Sequence, residues 1–310
     1  MMNRIKDKSL HERLSLDIDS FDRNVTKLRA VNDKKIKDVL VLQLIDSIRR
    51  LEYLRLISIR GRSSELYTPG SGSFEPFSGA AAFQKAGRID DAYWLVYLAT
   101  HFGKHKDDGW NLTEDFYGQL GLGGVWDWAT ASEDPQAIGN WLEQVYPAIV
   151  REGRSRRFGN HRKFETLKPG PKGTGHAVAT YIRWIMQYGS HAALISHAQR
   201  TAGQNPEEVF AFLYKELDNV AKLGRLGKFD LLCNLSNLQI APIFPDRGYI
   251  GESTGPKLGA KLLFGERIDN KRLESECSKL AKHLRVSPQV IEDALCNWQK
   301  SKSRYELFRG

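Results

Sequence analysis

The chain has 310 residues, 41% of them hydrophobic and 27% charged, which is enough apolar surface for one large core or two modest ones and excludes large-scale disorder. Forty-six Lys and Arg against 37 Asp and Glu leave a formal net charge of +9, so the expected partner is an anion: nucleic acid, nucleotide or membrane surface. No apolar run has the length of a membrane span and the start, MMNRIKDKSL, lacks a signal-peptide core, while three cysteines, Cys233, Cys277 and Cys296, are too few for a four-thiolate cluster and too far apart for a zinc knuckle; a reduced, cytoplasmic protein is expected.

Residues 1–35 are densely charged with a few leucines, the pattern of a short amphipathic helix or a loosely attached leader. From Ile36 to Ile59, Val39, Leu40, Leu44, Ile48, Leu51 and Leu54 recur at helical spacing, while Asp46, Arg49, Arg50 and Arg55 fall on other faces, so a packed helix with a basic side is predicted. Gly61 to Phe77 is rich in Gly, Ser and Pro and reads as a surface loop, in position to serve as a flap. Ile89 to Phe102 is a helix carrying Tyr93, Trp94 and Tyr97, and it ends at Gly103. His101, Lys104 and His105 at its C-terminus complement the negative end of the helix dipole, and no further ligands suggest a metal site. Asp127, between Trp126 and Trp128, is either a helix cap between two core rings or a carboxylate that holds an amine or hydroxyl while the rings stack on a base.

Arg151 to Lys172 is the most basic stretch, with Arg154, Arg156, Arg157, Arg162 and Lys163 interleaved with Phe158, His161 and Phe164, a composition suited to a nucleic-acid loop. Helices follow at Thr174 to Tyr188, Ser190 to Ala202 and Pro206 to Leu223, the last with Asn205 as cap and Pro206 at its first position. Phe229 to Ile240 reads as a buried helix on which Asp230 and Asn234 share a face, ready to line a pocket or to bond each other. In Tyr249 to Phe264, Gly251 and Gly255 supply backbone freedom and Pro256 opens a helix, so outward N–H groups with Lys257 and Lys261 form an anion site suited to phosphate. The helix from Pro288 to Lys300, capped by Ser287, buries Val290, Ile291, Ala294, Leu295 and Trp298 and sets Asp293, Asn297 and Lys300 on a separate stripe. Strand-like alternation of useful length is missing, so the predicted fold class is all-α.

Three blocks, Gly224 to Asp246, Tyr249 to Phe264 and Ser287 to Ser301, together with HFGKH at His101 to His105, the WDW of Trp126 to Trp128 and RRFGNHRKFETL at Arg156 to Leu167, resemble the third clade of α-glutamyl/putrescinyl thymine pyrophosphorylases. The likeness runs from about Ile48 to the C-terminus. That family is named for hypermodified thymine chemistry in phage DNA and is similar to helix-hairpin-helix DNA glycosylases, with relatives that excise glucosylated hydroxymethylcytosine in anti-phage defence.

The resemblance implies a helical glycosylase-like fold with a charged leader at 1–35, a helical region with a basic DNA-contact loop at 36–170 and a helix-hairpin-helix-like region at 171–310, bound to double-stranded, modified phage DNA. It places His101, Lys104, His105, Asp127, Trp126, Trp128 and Asn234 around the base, and Gly255, Lys257, Arg154, Arg156, Arg157, His161, Arg162 and Lys163 on the DNA. Base excision needs a carboxylate near the sugar; helix-hairpin-helix glycosylases carry an Asp shortly after the hairpin, which here is Asp269 or, in the resembled block, Asp293 or Glu292, with Asp230 as partner. Of the adjacent pair only one can reach the sugar, since neighbours on a helix point about 100° apart, and Asp293 lies off the apolar face. GESTG stands where those glycosylases usually have LPGVG, and no lysine stands out as a Schiff-base nucleophile, so water is the expected nucleophile. Attachment of an amine to an activated hydroxymethyl base, and a non-catalytic module that binds modified DNA, are the rival functions. No cofactor or obligate protein partner is implied, and P-loop and nucleophile-elbow motifs are missing.

Overall fold

Helical periodicity carries through to the structure, a computed structural model that describes residues 7–60 and 63–307. Among them are fourteen α-helices and no β-strand, only an isolated antiparallel bridge between His105 and Gly109, and the class is all-α. The chain divides into two compact units, one made of the residues up to Tyr53 and from Pro245 onward, the other of Leu54–Phe244.

The first unit holds α1 (Lys8–Asn24), most of α2 (Lys34–Arg60), α12 (Gly255–Phe264), α13 (Asn270–Leu284) and α14 (Pro288–Trp298). In α1 the apolar residues fall at i, i+4 and i+7, so Leu14, Ile18 and Phe21 are buried while its charges face water. Arg13 donates to the carbonyl of Leu284 at the end of α13 (3.0 Å), which ties this charged segment to the core. Ser287 caps α14 and Asp269 caps α13, the latter accepting from Arg272 N at 2.9 Å.

The glycines of the loop before α12 have a different reason from backbone freedom. Neither Gly251 nor Gly255 adopts a positive φ; a Cβ on Gly251 would lie 3.1 Å from the Asn270 side chain, and one on Gly255 would lie 2.9 Å from Cys296 Sγ. One turn on, a Cβ on Gly259 would run into the backbone carbonyl of Leu295. These glycines let α12 lie close against α13 and α14, and close approach is what the sequence requires of them.

The second unit is built from α3 (Pro76–Lys85), α4 (Ile89–Phe102), α5 (Asn111–Tyr117), α6 (Trp128–Glu133), α7 (Ala137–Glu152), α8 (Thr174–Met186), α9 (His191–Ala202), α10 (Pro206–Glu216) and α11 (Arg225–Asn237). Every residue of α4 from Ala92 to Phe102 is buried, as expected of a helix enclosed on all sides. Its rings build an aromatic core: Tyr97 stacks on Tyr181 with centroids 3.7 Å apart, flanked by Trp94, and Tyr93 stacks on His191 at 4.7 Å. Asn205 caps α10 with Pro206 in its first turn, but the α-helix ends at Glu216 and gives way to a 3-10 turn at Leu217–Asn219, shorter than the periodicity indicated. In the described part of the loop before α3, Gly70 N–H donates to Glu114 Oε1 at 2.8 Å, so that end is tethered; Gly61 and Arg62 lie outside the described residues.

Gly259→Ala is expected to destabilise the protein by roughly 1–3 kcal/mol, because backbone cannot yield as a flexible side chain does. Gly139→Ala in α7, where the nearest atom to an added Cβ is 3.9 Å away, should be neutral or slightly stabilising. Denaturant midpoints of the two variants check this.

Candidate functional site

The last carbonyls of α4 have no intrahelical N–H, and their partners come from distant parts of the chain. Gly159 N–H donates to Phe102 O at 2.8 Å, and Arg162 Nε to Thr100 O at 2.8 Å. The same guanidinium bonds Asp230 Oδ2 through Nη2 at 3.0 Å, while Asn234 Nδ2 donates to Thr100 Oγ1 at 3.2 Å. Three of the blocks singled out in the sequence, around His101, Arg162 and Asp230, therefore meet at one helix end. Gly103 and Gly159 pass so closely there that a Cβ on Gly159 would lie 2.8 Å from the Gly103 carbonyl carbon. Asp230 and Asn234 do share a face, and they meet Arg162 and Thr100 on it.

His101 is buried at the centre of this hub. The Thr174 hydroxyl gives its proton to Thr166 O (3.0 Å), so His101 Nε2, 3.1 Å away, is the donor to Thr174 Oγ1. Burial, with Arg162 and Lys222 adding positive charge nearby, pushes the imidazole down to about 3 and keeps it neutral. His105 has a local role, its Nδ1 accepting from the N–H groups of Asp107 and Asp108 at 3.2 Å each. Lys104 lies over the Trp110 ring at 5.6 Å. Trp126 and Trp128 are buried; Trp94 Nε1 donates to Trp126 O at 2.6 Å, and Asp127 caps α6 by accepting from Thr130 N at 2.9 Å. The aromatic core beside His191 encloses a cavity of about 20 Å³, room for a water and too small for a nucleobase.

The basic loop is only partly free to meet an outside anion. Arg156 is buried between Asp115 (3.0 Å) and Glu152 (2.7 Å), Arg154 reaches Asp115 at 3.4 Å, and Arg157 chelates Asp108 at 2.9 and 2.6 Å. The bond from Arg157, against the opposing effect of burial and with help from Ser155, holds the Asp108 carboxyl down to about 2. Arg162 is 12% exposed. His161 and Lys163 are exposed, and among the described residues neither has a carboxylate within 4.0 Å.

In the first unit, Asp293 is fixed by three donors from two helices: Ser47 Oγ to Oδ2 at 2.6 Å, Arg50 to the same oxygen, and Asn297 Nδ2 to Oδ1 at 3.0 Å. Lys300 continues the stripe by bonding Asn297 Oδ1 at 3.1 Å. The Asp293 side chain is 29% exposed, whereas Glu292, about 100° round the helix, is buried. The loop before α12 turns several of its N–H groups inward. Glu274 takes Gly248 N–H and Gly251 N–H on its two oxygens (3.0 and 3.1 Å), and Ser253 Oγ takes Lys257 N–H at 3.0 Å. An internal carboxylate thus occupies part of the anion-attracting backbone that the sequence suggested would face outward.

Sequence reasoning passed over Thr100, Thr174, Ser47 and Arg50 as partners in these networks. Thr100 adjoins the HFGKH block and Arg50 was visible on the basic side of α2, but only tertiary packing shows what they bond. No group of three or more His, Cys, Asp or Glu among the described residues is placed to hold a metal, and no helix there is long and apolar enough to cross a membrane.

These features define an all-α, strongly basic protein with a braced polar network in each unit. The family model described as alpha-glutamyl/putrescinyl thymine pyrophosphorylase clade 3 matches residues 35–310, and the chain belongs to that family. Neither a curated protein nor a solved structure gives a significant match.

Because the folded state disfavours protonation of His101, the unfolded chain binds more protons between its ordinary pKa of about 6.5 and the folded value of about 3, and stability falls as pH drops through that window. His191, lowered by burial against the opposing influence of Asp90, acts in the same direction. His101→Gln, which keeps a donor to Thr174, should flatten the acid limb of the stability profile and leave only the other groups' share. An unchanged slope in urea titrations across this range would count against the assignment.

Proposed function

We propose that this protein is an enzyme acting on a modified pyrimidine in DNA, and that it hydrolyses the N-glycosidic bond to release the base and leave an abasic site. α-Glucosyl-hydroxymethylcytosine in phage DNA is the proposed type of substrate, and anti-phage defence the proposed role. Membership of a family named for chemistry on a thymine base carries the reading furthest. The site geometry adds a carboxylate, Asp293, that is oriented by three donors yet open to solvent, and a basic loop braced to the end of α4. In this reading the C1′–N bond breaks with its electron pair going to the base, which takes up a proton. The Asp293 carboxylate opposes the positive charge that develops at C1′, and water adds there and gives a proton to solvent. Glu292 supports the helix from inside, and Asp230, held by Arg162, is the further candidate carboxylate. Lys163, His161, Arg154 and Arg157, with Lys257 beside Gly255, contact backbone phosphates; His101, Asn234 and Asp127, with its flanking tryptophans, shape the base-handling side.

The family's name supports a second reading equally. An amine would attack an activated hydroxymethyl base, forming a C–N bond as the C–O bond to pyrophosphate breaks and a proton is lost. DNA carrying different pyrimidine modifications, incubated with the protein, distinguishes the two. Alkali-labile sites and free base confined to modified DNA are expected here; a mass increase on an intact nucleoside would transfer the assignment to amine attachment, and retention of DNA without either product would leave only a binding module.

Asp293→Asn preserves shape and removes charge, so base release should fall by roughly 10²-fold or more while DNA affinity is kept. Wild-type release by this variant, with loss in Asp230→Asn, Glu292→Gln or Asp269→Asn, would move the role to that residue. Neutralising Lys163 or Arg154 should reduce the salt slope of DNA binding by about one unit each. Arg156→Gln, whose charge is already spent on Asp115 and Glu152, should lower stability rather than the slope.

A further inference from the structure

A singly exposed apolar side chain is common on a protein surface, and what distinguishes one is how firmly its position is held and what charge stands beside it. Phe164 is 82% exposed, the highest value among the large exposed hydrophobic residues described. The turn that carries it is closed by Glu165 N–H to Arg162 O at 2.9 Å. On its N-terminal side Arg162 is locked to Thr100 O and Asp230, and Arg162 N–H bonds Gly159 O at 2.8 Å. On its C-terminal side Glu165 lies 3.3 Å from Lys222 Nζ, Leu167 is buried, and Thr166 O accepts from both Thr174 N (2.9 Å) and Thr174 Oγ1 (3.0 Å). Phe158, on the same segment, packs inward against Phe102 with centroids 5.7 Å apart. The segment thus turns one aromatic ring inward against Phe102 and holds another out in water, with Lys163 Nζ 5.2 Å from the outer ring's centroid.

A ring presented this way gives the fold nothing that its burial would give, and its position is fixed before any partner arrives. A flat, apolar partner can stack on it at little ordering cost, and the adjacent ammonium suits a partner that carries a phosphate beside a flat ring. We propose that Phe164 is a base-stacking residue: when the loop binds duplex DNA, the ring packs against a nucleobase that has left the stack, with Lys163 on the neighbouring phosphate. The inference rests on the DNA-binding reading above and adds to it the residue that holds the duplex open.

Permanganate, which oxidises thymines once they are unstacked, reads this directly on a thymine-containing duplex, alongside binding by fluorescence anisotropy. Wild-type protein should bind the duplex and raise thymine reactivity. Phe164→Ala should return reactivity to the level of free DNA and bind a duplex with one unpaired thymine about 5-fold or more weakly. Phe164→Trp should keep both properties, and the thermal midpoint of all three proteins should agree, because the ring packs against no core. Enhanced reactivity that survives in Phe164→Ala, or wild-type binding without enhancement, would overturn the stacking role and leave DNA binding standing. Failure of the wild-type protein to bind any duplex would remove both.

Discussion

The guanidinium of Arg162 is the contact on which the arrangement of the second unit depends. Its Nε closes an open carbonyl at the end of α4 and its Nη2 meets Asp230 on α11, so a loop rich in positive charge is fastened to two helices by one side chain. An arginine so little exposed is costly to bury unless its donors are used, and here the cost is offset by a carbonyl and a carboxylate in fork geometry. Arg156 is likewise held by two carboxylates, Asp115 and Glu152, although its Nη1 is buried without a hydrogen-bond partner, so much of the loop's charge is structural. What reaches outward is the remainder: Lys163, His161 and the exposed part of Arg154 and Arg157.

Each unit places a carboxylate under the control of an arginine, Asp230 with Arg162 in one and Asp293 with Arg50 in the other. Both carboxylates keep part of their surface open, which suits a role toward an outside group better than Glu292, whose burial is explained by its position on the core side of α14. An unshielded carboxylate in a protein of charge +9 would be drawn toward the nearest free cation; fixing it with three donors keeps it oriented.

Much of the fold was legible in the sequence because its signals are local. The Asn205–Pro206 and Ser287–Pro288 starts carry their caps within three residues, and the apolar spacing of α14 identifies its buried face without reference to any other helix. The Asp293, Asn297 and Lys300 stripe follows from the same spacing and is hydrogen-bonded along its length. What remained hidden is what only long-range packing decides. Gly251 and Gly255 read as sources of backbone freedom, and their actual role, clearance for Asn270 of α13 and Cys296 of α14, needs the positions of helices that lie well beyond the loop in sequence. The inward N–H groups of the α12 loop depend on Glu274, which nothing near the loop in sequence announces. The Arg151 to Lys172 stretch was recognisable as basic and aromatic, but which of its charges are spent internally depends on Asp108 and Asp115, on a different segment.

Arg162 is the brace that couples the basic loop to α4 and α11, and a double-mutant cycle on Arg162→Gln and Asp230→Asn tests this most directly, read both as unfolding free energy and as duplex affinity. If the two side chains act as one unit, the double variant should lose little more than Arg162→Gln alone, with a coupling of roughly 1–3 kcal/mol in stability and a matching non-additivity in DNA binding. Strict additivity in both measurements would mean that the loop is held by other means and that the hub at the end of α4 does not organise the site.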